Sequence, residues 1–429
     1  MKFLADLHIH SRYSLATSKY TDVESLCISA RKKGITVLGT GDFTHPAWFG
    51  ELKEKLVRAK DGLYKPTKCI SGKIHKFIPE SCEGIIRFIP TAEICNIYKK
   101  GGKTRKIHSI ILLPDLSLAE KLNRRLQKLG KTESGGRPIF TFDVVNTLEM
   151  VFDVSEKAMF IPAHIWTPWY SVFGSRSGFD SIEECFGAYS EYIFAAETGL
   201  SSDPAMCRRF SGLDGVTLIS NSDAHSPMKI GREANIFNTV VCYDSIISAI
   251  KKSQPEEFIG TIEYYPEEGK YYLDGHRNCR QALLPEETER YGGVCPVCRK
   301  PITIGVLHRI QALSDKAKNK ESTQKCFKTI PLLEILSEIF QLNQGSKKIL
   351  LWYNKLLERF GPELDILNFT SIGEIRNSGI PLLAEAIERM RKNEVIITPG
   401  FDGKYGTIKL FKKEEIDGIQ LMLNGLSGV

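Results

Sequence analysis

The residues with the clearest chemical potential lie close to the amino terminus, where residues 5–10 read Ala-Asp-Leu-His-Ile-His. A β-strand turns successive side chains to opposite faces, so a strand here would place Asp6, His8 and His10 on one face. Two imidazoles about 6–7 Å apart beside a carboxylate pack poorly in a core but suit a metal ion. The alternative is a set of polar side chains on an exposed strand, and the rest of the chain decides between the two.

More histidines and carboxylates occur at or near the ends of apolar, strand-like segments in residues 1–257. They are Asp42, His45, Glu93, His108, His164, Glu197, Asp223 and His225. Amphipathic, helix-like segments separate these apolar runs, which is typical of a β/α alternation. In a parallel β/α barrel the strand ends open on a single face, where active sites lie. Because the chain has only nine histidines, their distribution predicts a multinuclear metal site at that face.

Composition limits the class of protein. Of the 429 residues, 42% are hydrophobic and 25% are charged, which is typical of a soluble globular chain with more than one domain. No apolar run reaches the ~18 residues of a membrane span and no cleaved signal is evident, so we expect a cytoplasmic protein with no membrane partner. The net charge of +7 permits a polyanionic partner. The eleven cysteines are not expected to form disulfides in the cytosol.

A second metal pattern lies further along the chain. His276-Arg-Asn-Cys279 and Cys295-Pro-Val-Cys298 form two knuckles, about sixteen residues apart, with the spacing of a tetrahedral zinc site. Four protein ligands leave no position for water, so this zinc would be structural. We therefore divide the chain into a barrel at 1–257, a small zinc-ribbon module at 258–312 and a mainly helical C-terminal domain at 313–429.

The C-terminal unit shows helical periodicity at 332–342, 347–360 and 380–393. Residues 396–411 then predict two short strands around a Gly-rich turn that contains Lys404 and Tyr405. This turn is either an ordinary connection or one whose backbone amides approach a phosphate.

Four motifs of the first unit occur together in one known superfamily. They are Asp6-Leu-His8-Ile-His10, the strand-end Asp42, Glu93 within Ala-Glu-Ile, and Ser-Asp223-Ala-His225. This set resembles the polymerase-and-histidinol-phosphatase (PHP) superfamily. The resemblance implies an α/β fold, a distorted seven-stranded (β/α)7 barrel, whose two or three metal ions cleave phosphoesters. It also implies the ligands, which are His8, His10, Glu93, His108, His164, Asp223 and His225.

The second PHP motif departs from the family pattern. The family usually has a histidine directly after the aspartate, but Phe43 follows Asp42 here and His45 comes three residues after that aspartate. Asp42 and His45 therefore both stay candidate metal ligands. Amidohydrolase barrels also begin with His-x-His, but their last strand usually supplies a lone aspartate, so the Asp-x-His pattern at Asp223 favours the PHP superfamily.

The loop that follows His164 is rich in aromatic side chains. Trp166, Trp169, Tyr170 and Phe173 lie there, and Ser171 and Arg176 are in the same loop. These rings either pack over the barrel rim or form a stacking wall for an extruded base. In the second case Arg176 would meet a phosphate.

The order of motifs along the whole chain narrows the resemblance. After the barrel come Asp274-Gly-His276-Arg-x-Cys279, Cys-Pro-Val-Cys, Gly305-Val-Leu-His308-Arg309, and Gly400-Phe-Asp-Gly-x-Tyr-Gly. From Met1 to about Phe411 the chain resembles the endonuclease Q family of DNA repair enzymes. The resemblance implies a nick on the 5′ side of a deaminated base (hypoxanthine, uracil or xanthine) or of an abasic site. A metal-activated hydroxide would attack phosphorus.

The resemblance also implies residue roles and partners. Asp223, His225 and Arg176 would be catalytic, two or three divalent ions (zinc, manganese or magnesium) would occupy the barrel, and one structural zinc would bind His276, Cys279, Cys295 and Cys298. DNA would be contacted by Trp166, Trp169, Tyr170, Ser171, Phe173, Glu197, His308, Arg309, Lys404 and Tyr405, although His308 also suits a buried hydrogen bond. We expect a monomer, with replication or repair proteins as candidate partners.

Two other functions remain open at this point. Many PHP proteins are phosphoesterases that act on small phosphate monoesters, and this chain could be one of them. It could also be a non-catalytic, zinc-containing DNA-binding protein, which the nearly complete set of barrel ligands speaks against.

Overall fold

The computed structural model describes residues 1–133, 135–316 and 324–417 of the 429-residue chain. Its strands are β1 Lys2–Asp6, β2 Ile35–Gly39, β3 Leu56–Arg58, β4 Tyr64–Pro66, β5 Arg87–Ile89, β6 Thr91–Lys100, β7 Lys103–Leu112, β8 Ile139–Phe140, β9 Met159–Pro162, β10 Ala195–Glu197, β11 Thr217–Ile219, β12 Ala234–Asn238, β13 Phe258–Glu263, β14 Asp274–His276, β15 Gln281–Leu283, β16 Lys325–Lys328, β17 Ile396–Thr398 and β18 Thr407–Lys409.

The α-helices are α1 Val23–Lys33, α2 Pro46–Lys55, α3 Lys68–Ile74, α4 Leu116–Gln127, α5 Val144–Val154, α6 Ile182–Phe186, α7 Pro204–Cys207, α8 Tyr243–Lys252, α9 Pro285–Arg290, α10 Val306–Leu313, α11 Leu332–Phe340, α12 Lys347–Phe360, α13 Glu363–Asn368, α14 Ile372–Arg376 and α15 Leu383–Arg391. Within the described ranges, none of these helices combines the length and the apolar character needed to cross a membrane.

The strands form one large sheet and several smaller ones. The large sheet has the order β16-β13-β12-β1-β2-β5-β4-β3, and a second sheet has the order β8-β6-β7-β9. Strands β10 and β11 form a separate parallel pair. The predicted α/β class is confirmed. The predicted closed seven-stranded barrel is not, because in the described part of the chain these hydrogen-bonded ladders stay separate.

The first metal motif lies just beyond β1 rather than on it. The strand ends at Asp6, after which the backbone N–H of Leu7 donates to Asn221 Oδ1 at 2.8 Å instead of to a neighbouring strand. Ile9 then pairs with Ala224 in an isolated bridge. The prediction that His8 and His10 sit on the face of a strand is therefore wrong. Their backbone leaves the sheet and approaches the Asp223 segment instead.

Helix α1 has a defined cap at each end. The side chain of Asp22 accepts a hydrogen bond from the backbone of Ser25 at 2.9 Å and so begins the helix. Gly34 ends the helix in the left-handed conformation with a φ of 88°. A Cβ at this glycine would lie 3.0 Å from Pro362, so the residue also permits close packing of the C-terminal part of the chain.

The C-terminal helices pack directly on the first unit. Helices α11, α12 and α15 match the predicted periodic segments. The buried carboxylate of Glu363 lies 2.7 Å from Lys33 Nζ and accepts a hydrogen bond from Tyr353 at 2.8 Å. Breaking a buried ion pair leaves an uncompensated charge, so this contact fixes how α1 and the C-terminal helices meet.

The predicted domain boundaries cross this packing. Strand β13 begins at the predicted second unit but pairs with β12 of the first, and β16 of the predicted third unit pairs with β13. Residues 317–323, at the start of the predicted C-terminal domain, lie outside the described residues. The boundaries at 257/258 and 312/313 therefore stay predictions.

A buried pair of carboxylates next to β12 and on β13 predicts a pH-dependent stability. Burial raises the pKa of Glu233 to about 8, and burial followed by the charge of Glu233 raises the pKa of Glu263 above its ordinary value of 4.5. Between the ordinary carboxyl pKa of 4.5 and about 8, Glu233 keeps a proton in the folded state that it releases in the unfolded state. The free energy of unfolding therefore falls as pH rises through this range. We expect Glu233→Gln to lose less stability than the unmodified protein between about pH 5 and about pH 8. Thermal unfolding across that range checks this, and parallel curves would contradict it.

Candidate active site

Four side chains from three distant parts of the chain converge in a first cluster, made of His8, His10, Glu93 and Asp223. The Nε2 atom of His10 lies 3.3 Å from Glu93 Oε2 and 3.0 Å from Asp223 Oδ1. The Nε2 atom of His8 lies 3.5 Å from the same glutamate oxygen. One atom from each residue therefore points toward a common centre, which is the arrangement of a metal site.

A second cluster uses the other oxygen of the same glutamate. Glu93 Oε1 lies 2.6 Å from His108 Nδ1 and 3.2 Å from His164 Nε2, and these two nitrogens are 3.3 Å apart. The carboxylate of Glu93 thus joins the two clusters, one oxygen to each. A shared carboxylate of this kind is a feature of sites that hold two metal ions close together.

The donor atoms fit divalent cations. His8 Nε2, Glu93 Oε2 and Asp223 Oδ1 are buried, and none of their contacts in the described part of the chain has the geometry of a hydrogen bond, which is costly unless a cation binds these atoms. Burial raises the pKa of Glu93, but Arg137 and His108 outweigh that effect and hold it well below its ordinary range. Burial lowers the pKa of His108 to about 3. Ionised carboxylates and a neutral imidazole are the forms that bind metals.

Backbone strain accompanies the site. Asp42, His164 and Asp223 all have positive φ angles, of 43°, 31° and 45° respectively. Such angles are uncommon outside glycine and cluster at functional sites. Gly199 allows one of these turns, because a Cβ there would lie 2.6 Å from the Cβ of His164.

Three predicted ligands lie beside the clusters without contributing an atom to either. Asp42 Oδ1 lies 2.9 Å from His10 Nδ1 and so orients that ring from behind. His45 caps α2 and stacks on Tyr13 with the ring centroids 4.5 Å apart. His225 Nδ1 donates to the backbone oxygen of Asp223 at 2.8 Å, and its ring lines the cleft next to His10.

Glu197, predicted to contact DNA, lies behind the first cluster instead. Its two carboxylate oxygens are 3.0 and 3.1 Å from His8 Nδ1. It also accepts hydrogen bonds from the backbone of His164 at 2.9 Å and from Asn221 at 2.9 Å. A buried carboxylate that holds a histidine in this way fixes the tautomer and orientation of a ligand.

One side chain that contacts the first cluster is not indicated by any pattern in the sequence. Arg137 follows the Gly135-Gly136 pair, its Nε contacts Glu93 Oε2, and its Nη2 lies 3.2 Å from His10 Nε2. Its only signal in the sequence is an arginine next to glycines in a connecting loop. That pattern is too common to single the residue out.

A cleft of about 640 Å³ opens beside the two clusters. His108, His164 and Asp223 lie on its wall, together with Trp169 and Tyr170 of the aromatic loop. The Tyr170 ring packs against His108 with the centroids 4.7 Å apart. Lys270, Tyr271 and Tyr405 from the later parts of the chain also line it. The cleft therefore has metal-binding, aromatic and cationic walls.

Some side chains of the aromatic loop pack inside the protein and others line the cleft. Trp166 and Phe173 are buried and pack on each other with centroids 4.8 Å apart, and Ser171 is buried with its hydroxyl on Thr167 O. These three residues therefore pack inside the loop. Trp169 and Tyr170 line the cleft instead.

Arg176, the predicted phosphate contact, and Arg309, a predicted DNA contact, join this loop to the zinc-binding segment, whereas His308 bonds within that segment. Arg176 donates to the backbone oxygen of Ile302 at 2.7 Å, and Arg309 donates to the backbone oxygen of Phe173 at 2.9 Å. His308 Nδ1 lies 2.5 Å from the buried carboxylate of Asp274. The alternative of a buried hydrogen bond is the one observed for His308.

The Gly-rich turn packs on the protein itself. The backbone amides of Gly400 and Gly406 donate to the oxygens of Glu267 and Glu268 at 2.8 and 3.0 Å. These amides are therefore not free to cradle a phosphate. Tyr405 is exposed and lines the cleft, whereas Lys404 is exposed next to it.

The predicted zinc ligands come together. His276, Cys279, Cys295 and Cys298 each offer an atom within 4.8 Å of the others. Burial raises the pKa of Cys295, but backbone N–H groups of Cys298 and Val297 outweigh it and lower the value to about 7. Such amide donors are typical of metal-binding knuckles, because they stabilise the thiolate.

Comparisons with known proteins agree with this arrangement. A family model described as the MJ0043 C-terminal domain matches residues 331–394. Protein MJ0043 of Methanocaldococcus jannaschii is 31% identical over 261 residues, or 59% of this chain, and that match spans 32% of MJ0043. This chain thus covers about a third of the length of that relative.

Two solved structures match over nearly their whole length. The lesion-specific endonuclease PfuEndoQ from Pyrococcus furiosus has 28% identity and a TM-score of 0.81, with 97% of this chain and 99% of that chain covered. An endonuclease Q in complex with a 27-mer duplex substrate, with an abasic lesion at the active site, has 30% identity and a TM-score of 0.83, with 97% and 98% covered. The chain belongs to the endonuclease Q family.

Proposed function

We propose that this chain is a metal-dependent DNA endonuclease that nicks the backbone on the 5′ side of abasic sites and of deaminated bases (hypoxanthine, uracil and xanthine). The observation that carries the proposal is the pair of metal-binding clusters that share Glu93 beside an open cleft. The likeness to a lesion-specific endonuclease and to an endonuclease Q bound to an abasic duplex supports lesion-containing DNA as the substrate.

The proposed metal ions are two, one in each cluster. His8, His10, Glu93 and Asp223 would hold one, and Glu93, His108 and His164 the other. Divalent cations there would activate a water for attack on phosphorus and neutralise the charge that develops on the phosphate oxygens. Glu197 and Asp42 hold His8 and His10 in place from behind. Zinc, manganese and magnesium all remain candidates for these positions.

Selection of the lesion is proposed to depend on the aromatic wall of the cleft. The rings of Trp169 and Tyr170 line the cleft, and Trp169 packs edge to face on Tyr271 with the ring centroids 5.6 Å apart. A base that pairs weakly, or an abasic nucleotide, costs less to turn out of the duplex than an intact pair. Lys229, Arg232 and Lys270 line the same cleft, and their positive charges are suited to the phosphates of the DNA backbone. DNA binding should therefore weaken as the salt concentration rises.

The zinc-binding module is proposed to hold one structural zinc and to position the aromatic loop. Arg176 and Ser175 both donate to its backbone, and Arg309 reaches back to the loop. The module is therefore proposed to affect DNA binding indirectly, by holding the aromatic loop that lines the cleft. We propose that the protein acts as a monomer and that its physiological partners include replication or repair proteins.

Replacement of Asp223 tests the proposal. Asp223→Ala removes a donor atom from the first cluster, so nicking of an end-labelled duplex with one abasic site should fall by about 10³-fold or more. Circular dichroism should show an intact fold. Asp244→Ala, at an exposed aspartate paired with Lys157, is the matched control and should nick normally. Undiminished nicking by Asp223→Ala would remove this site from the mechanism, and activity on nucleotide or sugar phosphates with none on DNA would replace the proposed substrate.

A further inference from the structure

Arg137 places a permanent positive charge among atoms that are suited to bind metal. Its Nε contacts Glu93 Oε2 and its Nη2 lies 3.2 Å from His10 Nε2, and both acceptors belong to the first cluster. The side chain is only 25% exposed, and the exposed part lines the cleft. A guanidinium keeps its proton at any ordinary pH and cannot ligate a metal. It therefore competes with a cation for the same lone pairs.

The chain holds Arg137 in this position from both sides. Gly135 O accepts hydrogen bonds from the backbone of Leu15 at 3.0 Å and from the hydroxyl of Ser14 at 3.1 Å. A Cβ at Gly136 would lie 2.6 Å from the Cα of Ser14, so only glycine permits this approach. On the other side, Pro138 O accepts a hydrogen bond from Cys95 at 3.0 Å. The loop is thus fastened to the segment after the first motif and to β6, which carries Glu93.

No imidazole from the second motif supplies positive charge at this place. Phe43 is fully buried, and its backbone oxygen accepts a hydrogen bond from Asn123 at 2.8 Å. His45 is used to cap α2. Meanwhile the carboxylates of Glu93, Asp42 and Asp223 all act on the Arg137 guanidinium. Of these carboxylates, Glu93 is the one that the guanidinium contacts directly.

We propose that Arg137 is a catalytic residue that contacts the scissile phosphate. With metals in the clusters, Glu93 Oε2 and His10 Nε2 are occupied, and the guanidinium is left facing the cleft. A planar, two-pronged cation suits a phosphate, whose negative charge increases during attack on phosphorus. The inference rests on the proposed function. It assigns to a guanidinium the charge that a third cation would otherwise supply.

Two variants test the proposal in parallel with metal measurements. We expect Arg137→Ala to lower kcat on the abasic duplex by about 10²–10³-fold and Arg137→Lys to restore part of it. The number of metal ions per chain should not change. Titration calorimetry of Mn²⁺ into the metal-free protein should show tighter binding to Arg137→Ala than to the unmodified chain, because a competing cation has been removed. Arg124→Ala, at an arginine that is 74% exposed, is the matched control.

The outcomes separate this inference from the proposed function. Normal kcat in Arg137→Ala, or a loss of metal that parallels the loss of activity, would overturn the catalytic assignment. Failure of the unmodified protein to nick any lesion would overturn the proposed function. The calorimetric comparison still decides in that case, because equal or weaker Mn²⁺ binding by Arg137→Ala would show that the guanidinium does not compete for the cluster.

Discussion

Replacing Glu93 with glutamine is expected to abolish nicking and to reduce metal binding at both clusters at once. Glu93 gives one oxygen to His8 and His10 and the other to His108 and His164. Glutamine keeps the volume but removes the negative charge and replaces one oxygen with an NH2 group, which cannot bind a cation. Metal stabilisation of a phosphoryl transition state is worth several kcal/mol, so we expect a loss of about 10³-fold or more. Elemental analysis and a nicking assay on the same preparation check both parts.

Glu233→Gln is the matched control for this change. Glu233 is also buried, but it lies outside the two clusters and accepts a hydrogen bond from Ser220 at 2.9 Å. Its pKa is raised to about 8 by burial, so the carboxyl is largely protonated near neutral pH and glutamine resembles it. This control should keep its metals and its activity. A Glu93→Gln protein that keeps a full complement of metal would show that Glu93 does not join the clusters.

Replacing Cys295 with serine is expected to unfold the zinc-binding module. The buried apolar core of this module consists of Leu283, Cys295 and Ile302, which is too small to be stable by itself. Zinc binding contributes about 10–16 kcal/mol in zinc-finger peptides, so most of the module's stability would come from the metal. Because Ile302 O holds Arg176, the aromatic loop should loosen as well.

The consequence for activity should be weaker DNA binding. We expect Cys295→Ser to lose one zinc per chain and to bind the abasic duplex about 10-fold or more weakly. Cys69→Ser, at an exposed cysteine outside the described metal clusters, is the control and should behave normally. Elemental analysis and a fluorescence binding titration are sufficient. Unchanged stability and binding after loss of the zinc would contradict a positioning effect of the module.

Short motifs predicted the centre of the site well, because the ligand types and their spacing are dictated by metal chemistry. His8, His10, Glu93 and Asp223 meet although Asp223 is far from the others in the sequence. The α/β class and the helical tail follow from periodicity in the same way. What periodicity does not determine is how strand edges pair, and closure of the barrel was inferred from the β/α alternation and from resemblance.

The surroundings of several predicted site residues could not be read from the sequence. Glu197 and Asp42 have the same type as a ligand, and only three-dimensional placement shows that they support His8 and His10 from behind. Arg176 and Arg309 are charged side chains that suit a phosphate, but in the structure both donate hydrogen bonds to backbone carbonyl oxygens. Arg137 was missed because an arginine in a Gly-rich loop has no distinguishing spacing. Such roles depend on which groups surround a side chain in the folded protein.

The most direct test of a shared two-metal centre is anomalous diffraction from crystals grown with Mn²⁺. The structure predicts one peak among His8, His10, Glu93 and Asp223, and a second among Glu93, His108 and His164. A separate zinc peak should lie among His276, Cys279, Cys295 and Cys298. An active, metal-dependent preparation whose crystals show no peak on either side of Glu93 would contradict a two-metal centre joined by this residue.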